Sequence, residues 1–171
     1  MEEKMSDLPL IKLTAGEILE ETEEKAIAVP PGTTIREALR LMMEKKIGSI
    51  LIMEGEEVKG IWTERDLMKD TMSPGFDPET AQIGDHMSTT LHYAAWEDTV
   101  LQLMDKFFGY RIRHLLIKKG GKFAGLLSAG SVVRAGLTER TRQLKELNTM
   151  VSWEFYEDWK WSKKKKEQDE A

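Results

Sequence analysis

Gly60-Ile61-Trp62-Thr63-Glu64-Arg65-Asp66 reads as the end of a strand, a tight turn and the opening of a helix. Thr63 and Asp66 put a hydroxyl and a carboxylate three residues apart, the spacing at which side chains reach the free backbone N–H groups of a helix start. Gly125-Leu126-Leu127-Ser128-Ala129-Gly130-Ser131 repeats the pattern 65 residues downstream, with serine where the first copy has aspartate. The chain therefore reads as a tandem repeat, altered in one copy at the position where chemistry is expected.

The same offset organises the residues on either side. Thr34 and Glu37 have capping-box spacing, and Ile35, Ala38, Leu39 and Met42 fall at i, i+3, i+4 and i+7, which predicts a helix with one buried face. Thr99 and Gln102, followed by Val100, Leu103, Met104 and Phe107, reproduce it 65 residues on. Ser49 to Met53 and Val58 to Trp62 are apolar runs around a Gly-containing turn and predict a β-hairpin, matched by His114 to Ile117 and Lys122 to Leu127. Ala26 to Val29 and Leu91 to Ala95 are brief strands. Before them come a capped helix from Thr14 through Leu19, then a charged loop over 20–25, and in the second copy the segment Ala81 to Met87. Ser73-Pro74-Gly75-Phe76-Asp77-Pro78 marks the boundary between the halves. The expectation is an α/β (α+β) protein with a first repeat over 12–72, a second over 81–137, and a tail over 138–171. Each repeat has the order β-α-β-β-α and is too small to stand alone, so two should pack through their sheets with pseudo-two-fold symmetry and leave a cleft between them.

This duplication, the Pro/Gly linker and the Gly-hydrophobic-x-Thr/Ser-x-x-Asp signature filled by Gly60, Ile61, Thr63 and Asp66 resemble a pair of cystathionine-β-synthase (CBS) domains, a Bateman module. The resemblance covers about residues 12 to 137. It implies a regulatory module that binds an adenosine nucleotide (AMP, ADP or ATP) between the repeats, signals by conformational change, and works as a homodimer. It also implies that the Asp contacts the ribose hydroxyls, that the Thr/Ser contacts phosphate or ribose, and that basic residues on the other repeat's first hairpin strand reach the phosphates.

Carried onto this sequence, Gly60, Thr63 and Asp66 combine with Arg113 and His114 in one complete site. The opposite site would combine Ser128 and Ser131 with Gly48 and Ser49, lacks the carboxylate and the basic pair, and is expected to be weak, empty or adapted to something else. A purely structural account stays open beside this one. Thr63 and Asp66 make a helix cap whether or not a ligand binds, and Arg113 and His114 can act as edge-strand solubilisers.

Composition bounds the remaining possibilities. The chain has no cysteine, so disulfides, thiolate metal sites and cysteine nucleophiles are excluded, and a reducing, cytoplasmic location is expected. His86 and His92 have no partner at metal-ligand spacing and are assigned no role. A net charge of −5 argues against a nucleic-acid partner, and the Lys163 to Lys166 run reads as a solvated tail. No run approaches a membrane span. No nucleophile with a base, carboxylate pair or metal cluster appears, so the chain is read as a non-enzyme that requires no cofactor, with the nucleotide as regulatory ligand. The ten methionines are read mainly as core filling. From Glu139 to Trp161, Leu144, Leu147, Val151, Phe155 and Trp159 recur at steps of three or four, predicting an amphipathic helix for a dimer contact or an unidentified protein partner. The alternatives are a constitutive dimerisation scaffold with a vestigial site, and a sensor of another adenosyl ligand such as S-adenosylmethionine or a cyclic dinucleotide.

Overall fold

Thr34 Oγ1 accepts a hydrogen bond from Glu37 N at 3.2 Å while Thr34 N donates to Glu37 Oε2 at 3.0 Å, so two of the free donors at that helix start are satisfied reciprocally. Thr99 and Gln102 repeat the exchange. The computed structural model, which describes residues 12–22 and 26–146, builds each half outward from one of these capped helices.

In chain order the elements are α1 (Ala15–Thr22), β1 (Ala28–Val29), α2 (Ile35–Lys45), β2 (Ser49–Glu54), β3 (Glu57–Thr63) and α3 (Glu64–Asp70). The second half holds α4 (Ile83–His86), β4 (Tyr93–Ala95), α5 (Val100–Tyr110), β5 (His114–Lys119) and β6 (Lys122–Ser128). Residues 129–146 are helical throughout and are called α6. The helix crosses residue 138 without a break. The predicted tail helix from Glu139 is thus, as far as residue 146, a continuation of the last helix of the repeat. Its remainder to Trp161 lies outside the described residues.

Two three-stranded sheets form, β1-β2-β3 and β4-β5-β6, each with one parallel and one antiparallel pairing. The repeat extends to the irregularities: the β2–β3 register shifts at Ile52/Met53 and the β5–β6 register at Ile117/Lys118, 65 residues later. On β2, Ile50 and Ile52 join the core with Ile35, Ala38, Met42 and Trp62, and on β5, Leu115 and Ile117 join the core with Val100, Leu103 and Phe107. Leu51 and Leu116 are buried out of phase with these, on the sheet faces turned away from the helices.

The short lead-in helices are exchanged between the halves. Ala15 and Ile18 of α1 belong to the core of the second half, with Leu103, Leu115 and Leu127, whereas Ile83 of α4 belongs to the core of the first, with Ile50 and Trp62. Isolated bridges between Thr14 and Thr99 and between Thr34 and Gln82 fix the exchange at both ends of the pseudo-symmetry. Glycines permit it. A methyl group on Gly125 of β6 would lie 2.9 Å from Leu19 Cδ1, and one on Gly84 would lie 2.9 Å from Pro31 Cβ. The two cores therefore do not follow the sequence boundaries at 12–72 and 81–137. α1 also runs three residues past Leu19, because Ile18 is anchored in the other half's core and holds the turn beyond it.

Candidate ligand cleft

β3 ends at Thr63, and α3 begins at once, so the Thr63–Asp66 pair sits where a strand gives way to a helix start. Thr63 N donates to Asp66 Oδ2 at 3.0 Å and Thr63 Oγ1 donates to the same oxygen at 2.7 Å. Lys69, one turn on, donates to Oδ1 at 3.1 Å from a largely exposed position. A carboxylate offers about four acceptor positions, so three are occupied and Oδ1 retains one, with the solvent-exposed Lys69 bond the weakest of the three.

A cleft of about 240 Å³ opens beside this carboxylate and is lined from both halves, with Thr63 and Asp66 on one side and Arg113 and His114 on the other. Four of the residues assigned to the complete site are thus brought together. The fifth, Gly60, does not line the cleft. It is buried, and a methyl group there would collide with Met87 at the end of the exchanged helix α4; the glycine of the signature serves packing.

Three further cations line the same cleft: Arg65, Lys69 and Arg111. With Arg113 they make four positive side chains around one carboxylate in a chain whose net charge is −5. Arg65, Arg111 and Arg113 form no ion pair among the described residues, leaving their charge to attract an anion. Arg111 was legible as the residue 65 positions after Lys46, just past the capped helix, but has no motif of its own. Ile61, Leu91, Ile112 and Leu116 give the cleft an apolar wall, and His92, assigned no role from sequence, lines it while stacking on Tyr110 with ring centroids 4.6 Å apart.

His114 does not form a cationic pair with Arg113. Burial first, and the neighbouring Arg113 charge second, push its pKa down to about 4, so at neutral pH the imidazole is an uncharged donor and acceptor. It faces Ser128 across the β5–β6 ladder and lines both the first cleft and the second.

The second cleft, about 480 Å³, is lined by Gly48, Ser49 and Ser128 as expected, but not by Ser131. Ser131 is 6% exposed and closed on itself: Ser128 N donates to Ser131 Oγ at 3.0 Å and Ser131 Oγ donates to Ser128 O at 2.9 Å. Among the described residues no carboxylate lines this cleft, though that of Glu64 lies against its lining residue Gly48. The cleft does not lack basic groups, because Lys45 and Lys46, at the end of α2, stand in it. Hairpin-strand positions alone did not show this, since these cations come from the preceding helix.

Elsewhere, Trp62 Nε1 donates to Asp70 Oδ2 at 3.0 Å, and His86 Nδ1 lies 3.0 Å from Asp70 Oδ1, tying β3, α3 and α4 together. His86 is thereby placed in a packing network. Among the described residues no cluster suits a metal ion, and no helix is long and apolar enough to cross a membrane.

A duplicated three-stranded unit with exchanged helices, enclosing an anion-attracting cleft between its halves, defines a paired small-ligand module. Residues 15–72 match the CBS domain, and this chain belongs to the CBS domain family. It is 31% identical over 121 residues to an uncharacterised 17.7 kDa protein of Acidianus ambivalens, covering 70% of this chain and 72% of that one. It is 29% identical over 123 residues to the mitochondrial CBS domain-containing protein CBSX3 of Arabidopsis thaliana, where the match covers 69% of this chain but 60% of the relative. The crystal structure of the CBS-domain containing protein ATU1752 from Agrobacterium tumefaciens superposes with a TM-score of 0.67 at 29% identity, covering 72% of this chain and 98% of that one. The Pyrobaculum aerophilum CBS domain protein PAE2072, solved in complex with AMP, shares the fold with a TM-score of 0.63 at 20% identity, covering 74% and 97%.

Proposed function

We propose that this protein is a non-catalytic regulatory module that binds an adenosine nucleotide in the first cleft. The observation that carries the reading is the convergence of Thr63 and Asp66 from one repeat with Arg113 and His114 from the other around a single cleft. The AMP complex of the Pyrobaculum protein supports the ligand class. The remaining acceptor capacity of Asp66 suits a ribose hydroxyl, and displacement of Lys69 would free a second position for the cis-diol. The cleft arginines, which form no ion pair among the described residues, suit phosphate, and the apolar wall with His92 suits a base.

The ligand acts by shifting a population. Because it touches both repeats, it favours whichever relative arrangement it fits better, and a 1.4 kcal/mol preference changes the ratio about tenfold. A second copy of the chain reads the change. Exposed apolar side chains recur at matched positions 65 residues apart, Met43 with Phe108 and Met68 with Val133 on helices, and Met72 just past α3 with Leu137, giving two related sets of apolar side chains suited to a homodimer.

Calorimetric titration of the full chain with AMP, ADP, ATP and S-adenosylmethionine, in parallel with Asp66→Ala and Arg113→Ala, tests the reading. Binding near one equivalent per chain, lost in the first variant and weakened in the second, supports a nucleotide sensor. Binding indifferent to Arg113→Ala selects the sulfonium ligand. No binding of any of the four leaves the Thr63–Asp66 pair as a helix cap within a dimerisation scaffold.

A further inference from the structure

We propose, resting on the nucleotide reading of the first cleft, that Lys69 is a specificity-determining residue. It holds the diol-binding oxygen of Asp66 while the cleft is empty and passes to the ligand's phosphate when the cleft fills, so that diol and anion bind well only together.

The two oxygens of Asp66 are committed differently. Oδ2 accepts both Thr63 donors, at 3.0 and 2.7 Å, and belongs to the helix cap. Oδ1 accepts Lys69 Nζ at 3.1 Å, its one hydrogen bond among the described residues. A vicinal diol brings two donors and needs acceptor positions that are not already filled. Lys69 therefore sits on the oxygen a diol would use.

Lys69 also differs from the other cations of the cleft. Arg65, Arg111 and Arg113 line it and form no ion pair among the described residues, whereas Lys69 lines it and is paired. The pair is loose, because the lysine side chain is 71% exposed against 16% for the aspartate, and solvent screens the bond while the carboxylate stays in place. A flexible stem lets the ammonium move without moving the helix. The second repeat shows the arrangement without a carboxylate. Arg134 stands 65 positions after Lys69 and Ser131 stands where Asp66 does; Arg134 is exposed, makes no ion pair among the described residues and does not line the second cleft. The cation's place in a cleft goes with the carboxylate.

The result is a coupling between two parts of one ligand. An uncharged diol must displace an ammonium from a carboxylate and leaves that ammonium to water. An anion without a diol meets a lysine still partly neutralised by Asp66. A ligand carrying both takes Oδ1 with its diol and gives the released ammonium a new partner beside the three arginines, so each part strengthens the hold of the other.

The test is calorimetric titration of the full chain and of Lys69→Met with adenosine and with AMP. Methionine has a similar helix propensity and position 69 is exposed, so the variant should melt close to the parent. AMP is expected to bind the parent more tightly than adenosine does. In Lys69→Met adenosine should tighten about threefold and AMP weaken about threefold, a roughly tenfold fall in the ratio of the two affinities. Weaker AMP with unchanged adenosine would make Lys69 an ordinary phosphate contact and overturn the handover. Equal tightening of both ligands would make it a competitor for Asp66 alone and overturn it as well, and equal affinities in parent and variant would reduce the contact to a surface ion pair. If neither ligand binds the parent, the nucleotide reading itself fails and the handover with it, an outcome distinct from the other three.

Discussion

Gly16 and the indole of Trp96 approach so closely that no side chain fits between them, and Gly16 N donates to Trp96 O at 2.9 Å. This contact seats α1 in the second half of the molecule. Gly16→Ala brings a methyl group against a rigid ring. Alanine gains about 1 kcal/mol of helix propensity over glycine, but overpacking a tight site costs about 1–3 kcal/mol. The net result expected is a loss of stability, measured by urea unfolding. A variant as stable as the parent would show that α1 is not packed there.

Asp66 serves as both cap and cleft wall, and the two roles can be separated. Asp66→Asn keeps an oxygen for the Thr63 donors and should lose less than about 1 kcal/mol, the usual worth of a cap. It removes the carboxylate, so nucleotide affinity should fall roughly tenfold or more. Thermal melts and calorimetry on the same sample read both effects. Equal affinity in parent and variant would confine Asp66 to capping.

His114 makes stability depend on pH. Its folded pKa is near 4 and its ordinary value 6.5, so between these the unfolded chain binds a proton that the folded chain does not. Stability therefore rises with pH across that window and is lost as pH falls from 6.5 toward 4. Glu17 and Glu37, held below the usual carboxylate value chiefly by backbone hydrogen bonds from Thr14 and Thr34, add losses in the same direction, beginning lower, below about 4.5. Melting between pH 5 and 7 should show a slope that His114→Gln reduces; an unchanged slope would place its origin elsewhere.

Asp70 carries the indole N–H of Trp62, a side chain with no solvent exposure. Asp70→Ala strands that donor and should cost about 1–3 kcal/mol. Asp70→Asn, which retains an acceptor, should cost less. Denaturation followed by tryptophan fluorescence ranks the two, and the reverse order would contradict the assigned bond.

The matched exposed apolar side chains predict association. Phe108 is 72% exposed and Met68 63% exposed, so Phe108→Glu and Met68→Glu should leave the fold intact while shifting the mass seen in sedimentation toward the monomer. A protein that is monomeric before substitution would sink the homodimer reading.

Much of the architecture was legible because local signals agreed with one another. Thr34/Glu37 and Thr99/Gln102 announce helix starts, the stripe from Ile35 to Met42 recurs from Val100 to Phe107, and the observed hairpins fall on the predicted apolar runs. The exchange of α1 and α4 was not legible. Ile18 and Ile83 are apolar residues on short helices, and nothing in their immediate sequence states which core receives them. The Thr63–Asp66 pair could be found because its chemistry is local. Arg65 and Lys69 share α3 with Asp66, whereas Arg111 and His92 come from the other half and became neighbours of the pair only through packing. Gly60 shows the complementary ambiguity: a glycine in a binding signature is equally a glycine beneath Met87.

The exchanged helices have a consequence for synthesis. α1 leaves the ribosome well before its seat is complete, because that seat includes β6, made only at Lys122–Ser128. Until then the nascent chain carries Ile18 and Leu19 without their partners, and the first repeat waits for Ile83 to complete its own core. Two repeats that look autonomous in the sequence are therefore obliged to mature together, as one cooperative event once β6 has been made.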